Sequence, residues 1–222
     1  MSVEPLGRRT LAPLALLLLA LVALVGCGSS SGGDDDGSGG PPPSTPSSRF
    51  AAAGTLPPVL AERPAPAIRL TDARSGEPFD TASLRGTPYM VTFLFVNCPD
   101  VCPLIGQEIR EALEQMGGQA ERVAVLAVSV DPRGDTAEAA RTWLRRQRQP
   151  QNFHYLIGSE DELSPVWRAF YAAPQIAGDP ESAHTAVVWL IDARGRLAAK
   201  VDAGTSFEPA DLAKDMRTLL SE

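Results

Sequence analysis

PYMVTFLFVNCPDVCP, residues 88–103, is the stretch on which the fold turns. Tyr89 to Val96 form a nearly unbroken apolar run, as expected of a strand buried on both faces. Cys98 and Cys102 follow at once, four positions apart, each with a proline behind it. Pro99 has no N–H to donate, and Pro103 is tolerated in the first turn of a helix. From Cys102 to about Met116, Ile105, Ile109, Leu113 and Met116 recur with helical period, and Gly117-Gly118 ends the run. The spacing therefore predicts a strand, a short turn carrying both sulfurs, and a helix. In open α/β sheets functional residues sit beyond the carboxyl ends of strands, where these cysteines fall.

The remaining elements can be read outward from there. Ala67–Leu70 predicts a short strand with a turn at Ser75-Gly76-Glu77. Arg122–Asp131 holds a second buried strand, Thr136 to about Arg148 a helix, and Phe153–Leu156 a short strand. Asp161 to about Tyr171 predicts a helix. His184–Asp192 predicts a strand joined by a tight turn to Leu197–Val201, and Pro209 to about Leu220 a closing helix. Strands alternating with helices, then a hairpin and a helix, predict an α/β domain with a central mixed sheet and helices on both faces. The order resembles a thioredoxin-like fold with an inserted helix near residues 161–171.

The chain has 222 residues, and its first part does not read as a folded core. Arg8-Arg9 precede the apolar run LAPLALLLLALVALVG, the pattern of a secretory signal. The run ends in LVGC, which resembles the bacterial lipobox, so residues 1–27 are expected to be a lipoprotein signal with lipidated Cys27. Residues 28–63, rich in Gly, Ser, Pro and Asp at their start, are expected to be a disordered linker. Residues 64–222 are expected to form one domain. A lipid-anchored chain of this kind works at the outer face of the cytoplasmic membrane or in the periplasm. The net charge of −7 argues against nucleic acid as a partner. The arginines at 141, 145, 146 and 148 read as a solvated helix face.

Of three cysteines, two remain once Cys27 is assigned to lipid. A disulfide between Cys98 and Cys102 would close a very short loop and restrain the unfolded chain little, so chemistry outweighs stapling. A helix N-terminus favours the thiolate. Two close thiolates suit copper(I), zinc or disulfide exchange, and the residues alone leave these open. A metal would need a third donor. The histidines are His154, inside a strand, and His184, at the start of one after a polar loop. His184 is the better placed for an imidazole ligand.

Three segments together resemble the Sco/SenC family of copper-binding, thioredoxin-fold proteins of cytochrome c oxidase assembly. They are CPDVCP at 98–103, SVDPRGDT at 129–136 and HTAVVWLID at 184–192, with FHYLIGS at 153–159 in agreement. The resemblance implies that Cys98, Cys102 and His184 bind copper, as Cu(I) and Cu(II), and that His154 is structural. It implies delivery of copper to the binuclear site of cytochrome c oxidase subunit II, with other copper carriers or thiol reductases as further partners and the membrane reached through the lipid. Many members carry an acidic residue before the histidine, where this chain has Ala183. Such a protein is a metallochaperone rather than an enzyme. The alternatives are a specialised thiol–disulfide oxidoreductase, which would keep the oxidase copper-site cysteines reduced, and a redox or copper sensor. An ordinary thioredoxin is disfavoured by the three residues between the cysteines and by Ala186 where a cis-proline is expected. A peroxiredoxin-type peroxidase is disfavoured by Val91 and Phe95 where its proline and threonine belong.

Overall fold

A computed structural model describes residues 49–52, 56, 59–175, 185–203 and 207–222. The expected signal, Cys27, residues 28–48 of the expected linker and His184 lie outside the described residues.

The sheet has seven strands in the order β2-β1-β5-β4-β3-β6-β7. They are β1 (Arg69–Asp72), β2 (Pro78–Asp80), β3 (Tyr89–Leu94), β4 (Ala124–Ser129), β5 (Phe153–Ile157), β6 (Val187–Ile191) and β7 (Leu197–Asp202). β3, β4 and β5 are parallel, and β1, β2, β6 and β7 pair antiparallel with their neighbours. The helices are α1 (Val101–Met116), α2 (Ala137–Arg146), α3 (Glu160–Ala169) and α4 (Pro209–Leu220). Every residue of β3, β4 and β6 is buried, which requires cover on both faces.

Register tells which helix covers which face. Thr92, Ala127 and Tyr155 are partners across β3, β4 and β5, and so are Phe93, Val128 and Leu156 one step on. Neighbours in register point the same way, and successive residues point opposite ways. Trp143 of α2 stacks edge-on to Tyr155, whereas Phe170, just past α3, packs on Phe93 and Trp189. α2 and α3 therefore lie on opposite faces. α1 joins α2, because a Cβ on Gly106 would stand 2.7 Å from the Trp143 ring. α4 packs on α1.

Two elements differ from the sequence expectation. β2 was not expected, because Pro78-Phe79-Asp80 is too short for an alternating pattern and begins with proline. The packed chain also begins before Pro64, inside the stretch expected to be linker. Phe50 and Leu56 are buried in the core. Asp215, fully buried on α4, accepts the backbone N–H groups of Ala51 and Ala52. Arg49 pairs with Glu222 at 2.7 Å. Further on, Glu62 N–H donates to Leu197 O, Leu197 N–H to Arg63 O and Ala65 N–H to Gly195 O, laying residues 62–65 against the β6–β7 turn and the first residue of β7. The apolar residues of RFAAAGTLPPVLAER, 49–63, are broken up by Gly54, Pro57 and Pro58 and keep no strand or helix period, so the sequence pattern does not reveal the docking. A chain starting at Pro64 is expected to be less stable than one starting at Ser48, by about 3 kcal/mol for the lost burial of two large side chains. Urea denaturation of the two chains measures it, and equal midpoints would refute the bracing.

Candidate metal centre

The site forms where β3 ends and α1 begins. Cys98 N–H donates to Phe95 O at 3.3 Å and closes a turn. Asp100 is the N-cap of α1, and its side chain accepts the Val101 N–H. The next orphan amide of the helix, Cys102 N–H, donates to the Cys98 sulfur at 3.3 Å. Cys98 thus lies outside the helix. The two sulfurs approach because one of them caps the helix, rather than by sharing a helical face.

The two thiols are unequal. Cys98 is pulled down to about 7, chiefly by a hydrogen bond from the Cys102 thiol. Cys102, with no exposed surface, is pushed far up, first by burial and then by its bond to Cys98. Neither forms a disulfide in this structure. Asp100 lies 3.8 Å from the Cys98 sulfur, so its capping role places it beside the reactive thiol as well.

The SVDPRGDT segment folds behind this turn. Asp131 accepts from the N–H groups of Arg133 and Gly134. A Cβ on Gly134 would come within 2.2 Å of the Asp131 carboxylate and 3.1 Å of the Asn97 amide, so only glycine lets the segment close over the turn. Asp135 is buried and accepts from Val96 N–H at 2.8 Å, Ser129 Oγ at 2.6 Å and Tyr155 Oη at 3.0 Å. Burial pushes its carboxyl up to about 7 against those three bonds. Asp135 falls in the SVDPRGDT motif, but the sequence assigns it no role, since its donors come from positions 96, 129 and 155.

His154 is engaged elsewhere. Its Nδ1 lies 2.9 Å from Asp72 Oδ2, and its ring packs on Phe79 with centroids 4.8 Å apart. These contacts seam β5 to β1 and β2. A groove of about 530 Å³ runs between Val96, Asn97 and Pro103, which flank the two cysteines in sequence, and the Thr136, Thr142, Trp143 and Arg146 side of α2. Arg141 and Arg145 hydrogen-bond to Ala73 O and Thr142 Oγ1.

A family model described as SCO1/SenC matches residues 65–221, the domain that carries these thiols. The chain belongs to the SCO1/SenC family. A Stutzerimonas stutzeri protein named for copper binding is 29% identical to this Sco-family chain over 147 residues, covering 64% of this chain and 71% of that one. The structure of Bradyrhizobium japonicum ScoI with copper bound superposes with a TM-score of 0.61 at 30% identity, over 71% of this chain and 100% of that chain. BsSco, described as a member of the Sco family of cytochrome c oxidase assembly proteins and as having a disulfide switch, superposes with a TM-score of 0.63 at 17% identity. It covers 72% of this chain and 95% of that one, and here the likeness is one of fold. The fold of this Sco-family chain is thioredoxin-like, as its element order led one to expect.

The donor set can be weighed against a copper ion. Two sulfurs, one inclined to the thiolate at neutral pH, are soft donors of the type that selects Cu(I). Among the described residues no three His, Cys, Asp or Glu side chains gather into a metal site. The described part of this Sco domain thus fits copper with two donors, and the third expected ligand, His184, falls outside it.

Proposed function

We propose that this chain is a membrane-tethered copper-binding protein that delivers copper to the binuclear copper site of cytochrome c oxidase subunit II. Cys98, Cys102 and His184 hold the ion, as Cu(I) or Cu(II). Residues 1–27 direct export and lipidation at Cys27, and the following tether keeps the domain at the outer face of the cytoplasmic membrane. The observation that carries the reading is the dithiol itself: one sulfur caps the helix whose second residue is the other. Family membership and the copper-bound ScoI support it.

The ion is cargo. Cys98 and Cys102 give up protons as they take it and regain them as acceptor cysteines displace them one ligand at a time. The groove lined by Asn97 and Pro103 offers room for a partner segment during that exchange. No acid–base catalyst is required, which favours a metallochaperone over an enzyme.

A second reading is favoured by one observation, the inequality of the two thiols. A thiol near 7 beside one pushed far up is the division of labour of an attacking and a resolving cysteine. In that role the chain would keep the oxidase copper-site cysteines reduced.

Two mixtures separate the readings. Copper-loaded protein is mixed with metal-free, reduced subunit II domain. Reduced, metal-free protein is mixed with the disulfide form of that domain. Metal transfer in the first alone supports delivery, and thiol exchange in the second alone supports reduction. A reduced chain that retains no copper after gel filtration overturns the delivery reading at the outset.

A further inference from the structure

The sequence leads one to expect the α2 arginines as a uniformly solvated face, but in the structure they divide. Arg141 and Arg145 are engaged within the protein, on Ala73 O and Thr142 Oγ1. The side chains of Arg146 and Arg148 are exposed and pair with no described residue. Residues 137–148 hold four arginines against one glutamate, in a chain whose net charge is −7. The positive charge is therefore local, and part of it is unpaired.

Arg146 differs from Arg148 in lining the groove of about 530 Å³. The facing wall of that groove includes Asn97, which precedes Cys98, and Pro103, which follows Cys102. Its apolar lining comes from Val96, Pro103, Ala139 and the buried Trp143. Glu138 stands in the first turn of α2 and Arg146 in the last. At a rise of about 1.5 Å per residue they lie about 12 Å apart along the helix, the reach of about four extended residues.

We infer that this groove seats an extended segment of a partner protein, with an apolar side chain against Trp143 and a carboxylate on Arg146, and so holds the partner's own cysteine within reach of Cys98. Glu138 in the same lining disfavours a uniformly anionic partner such as a phospholipid surface. An exposed ion pair is worth only a few-fold in affinity, so Arg146 sets which segment is preferred more than how tightly it is held. The inference rests on the reading that the cysteine pair exchanges copper or electrons with another protein, and adds the kind of segment that is recognised.

The test follows thiol exchange by the reduced, metal-free protein. The probes are end-blocked peptides with one cysteine, one leucine, and one aspartate placed three to six residues to either side of the cysteine. Each cysteine is capped as a mixed disulfide with thionitrobenzoate. The Cys98 thiolate attacks the peptide sulfur, a new S–S bond forms, and the coloured thionitrobenzoate thiolate leaves with the electron pair of the old one. One disulfide replaces another, so no further oxidant is needed. Each aspartate peptide is compared with its asparagine twin, which cancels the charge of the cap.

At low salt the best aspartate peptide should react at least about threefold faster than its twin. The ratio should fall to one or below in Arg146→Glu and persist in Arg148→Glu, which changes as much charge outside the groove. Both arginines are exposed and unpaired, so neither variant threatens the fold. A parent preference under threefold, or one that Arg146→Glu leaves above unity, overturns the inference. So does an equal loss in both variants, which would reveal a diffuse field rather than a seat. Copper plays no part in these rates, so a chain that fails to hold copper and a groove that fails to seat a peptide are separate results.

Discussion

Cys98→Ser is expected to fold like the parent and to lose copper. Serine is a strong N-cap, so its hydroxyl can take over the Cys102 N–H that the sulfur now accepts. It is a hard donor with an alcohol proton, and cannot replace a thiolate toward Cu(I). The affinity loss should exceed the roughly 10–100-fold typical of removing an outer partner of a metal ligand. Cys102→Ser should behave alike, at some added cost for a hydroxyl in a fully buried place. His184→Ala should weaken binding strongly. His154→Ala should keep the ion and lower stability, because it removes the partner of Asp72 and the ring on Phe79. Titration of each reduced variant with Cu(I) against a competing chelator checks the series. Undiminished affinity in either serine variant would refute the dithiolate site.

Alkylation of the reduced, metal-free protein is expected to be confined to Cys98. Its thiol is held near 7 by the Cys102 hydrogen bond, while burial keeps Cys102 protonated far above neutrality. The thiolate is the nucleophile. The rate at Cys98 should therefore climb with pH and pass its half-maximum near 7. At pH 7.5 selectivity for Cys98 should exceed about a hundredfold, since each pKa unit is worth a factor of ten in thiolate. Peptide mapping after a brief iodoacetamide pulse measures both. Cys102→Ala removes the donor and should move the half-maximum up. Equal labelling of the two cysteines would overturn the asymmetry, and with it the observation that favours the reductase reading.

The sequence was most readable where burial is complete. Tyr89–Val96 and the run after Arg122 are apolar because both of their faces are covered, and a continuous run leaves little room for another reading. α1 and α4 were readable from their period, with Gly117 and Pro209 marking an end and a start. The cysteine pair was readable from its spacing. Its geometry was not, since sulfur capping depends on where the helix begins, and it begins at Val101. Asp135 was unreadable for a different reason. Its three donors lie at other points of the chain and meet only when β3, β4 and β5 stand side by side. Phe50 and Leu56 were hidden because the apolar residues around them are interrupted by Gly54, Pro57 and Pro58 and match no period, although the core receives both.

The bracing of residues 62–65 against the start of β7 bears on how molecules of this protein meet one another. A sheet in open order has two rims, and a bare rim is a template on which another chain can crystallise as an extra strand. Here the protein's own leading segment covers the first residue of the β7 rim, and the charged pair Lys200–Asp202 stands farther along it. The other is the three-residue β2, which opens on Pro78 and carries the Arg69–Asp80 ion pair beside it. Neither rim invites zippering. Copies crowded on a surface can therefore jostle without fusing into ribbons, and a visiting protein has to be recognised by side chains around the thiols rather than by borrowed backbone.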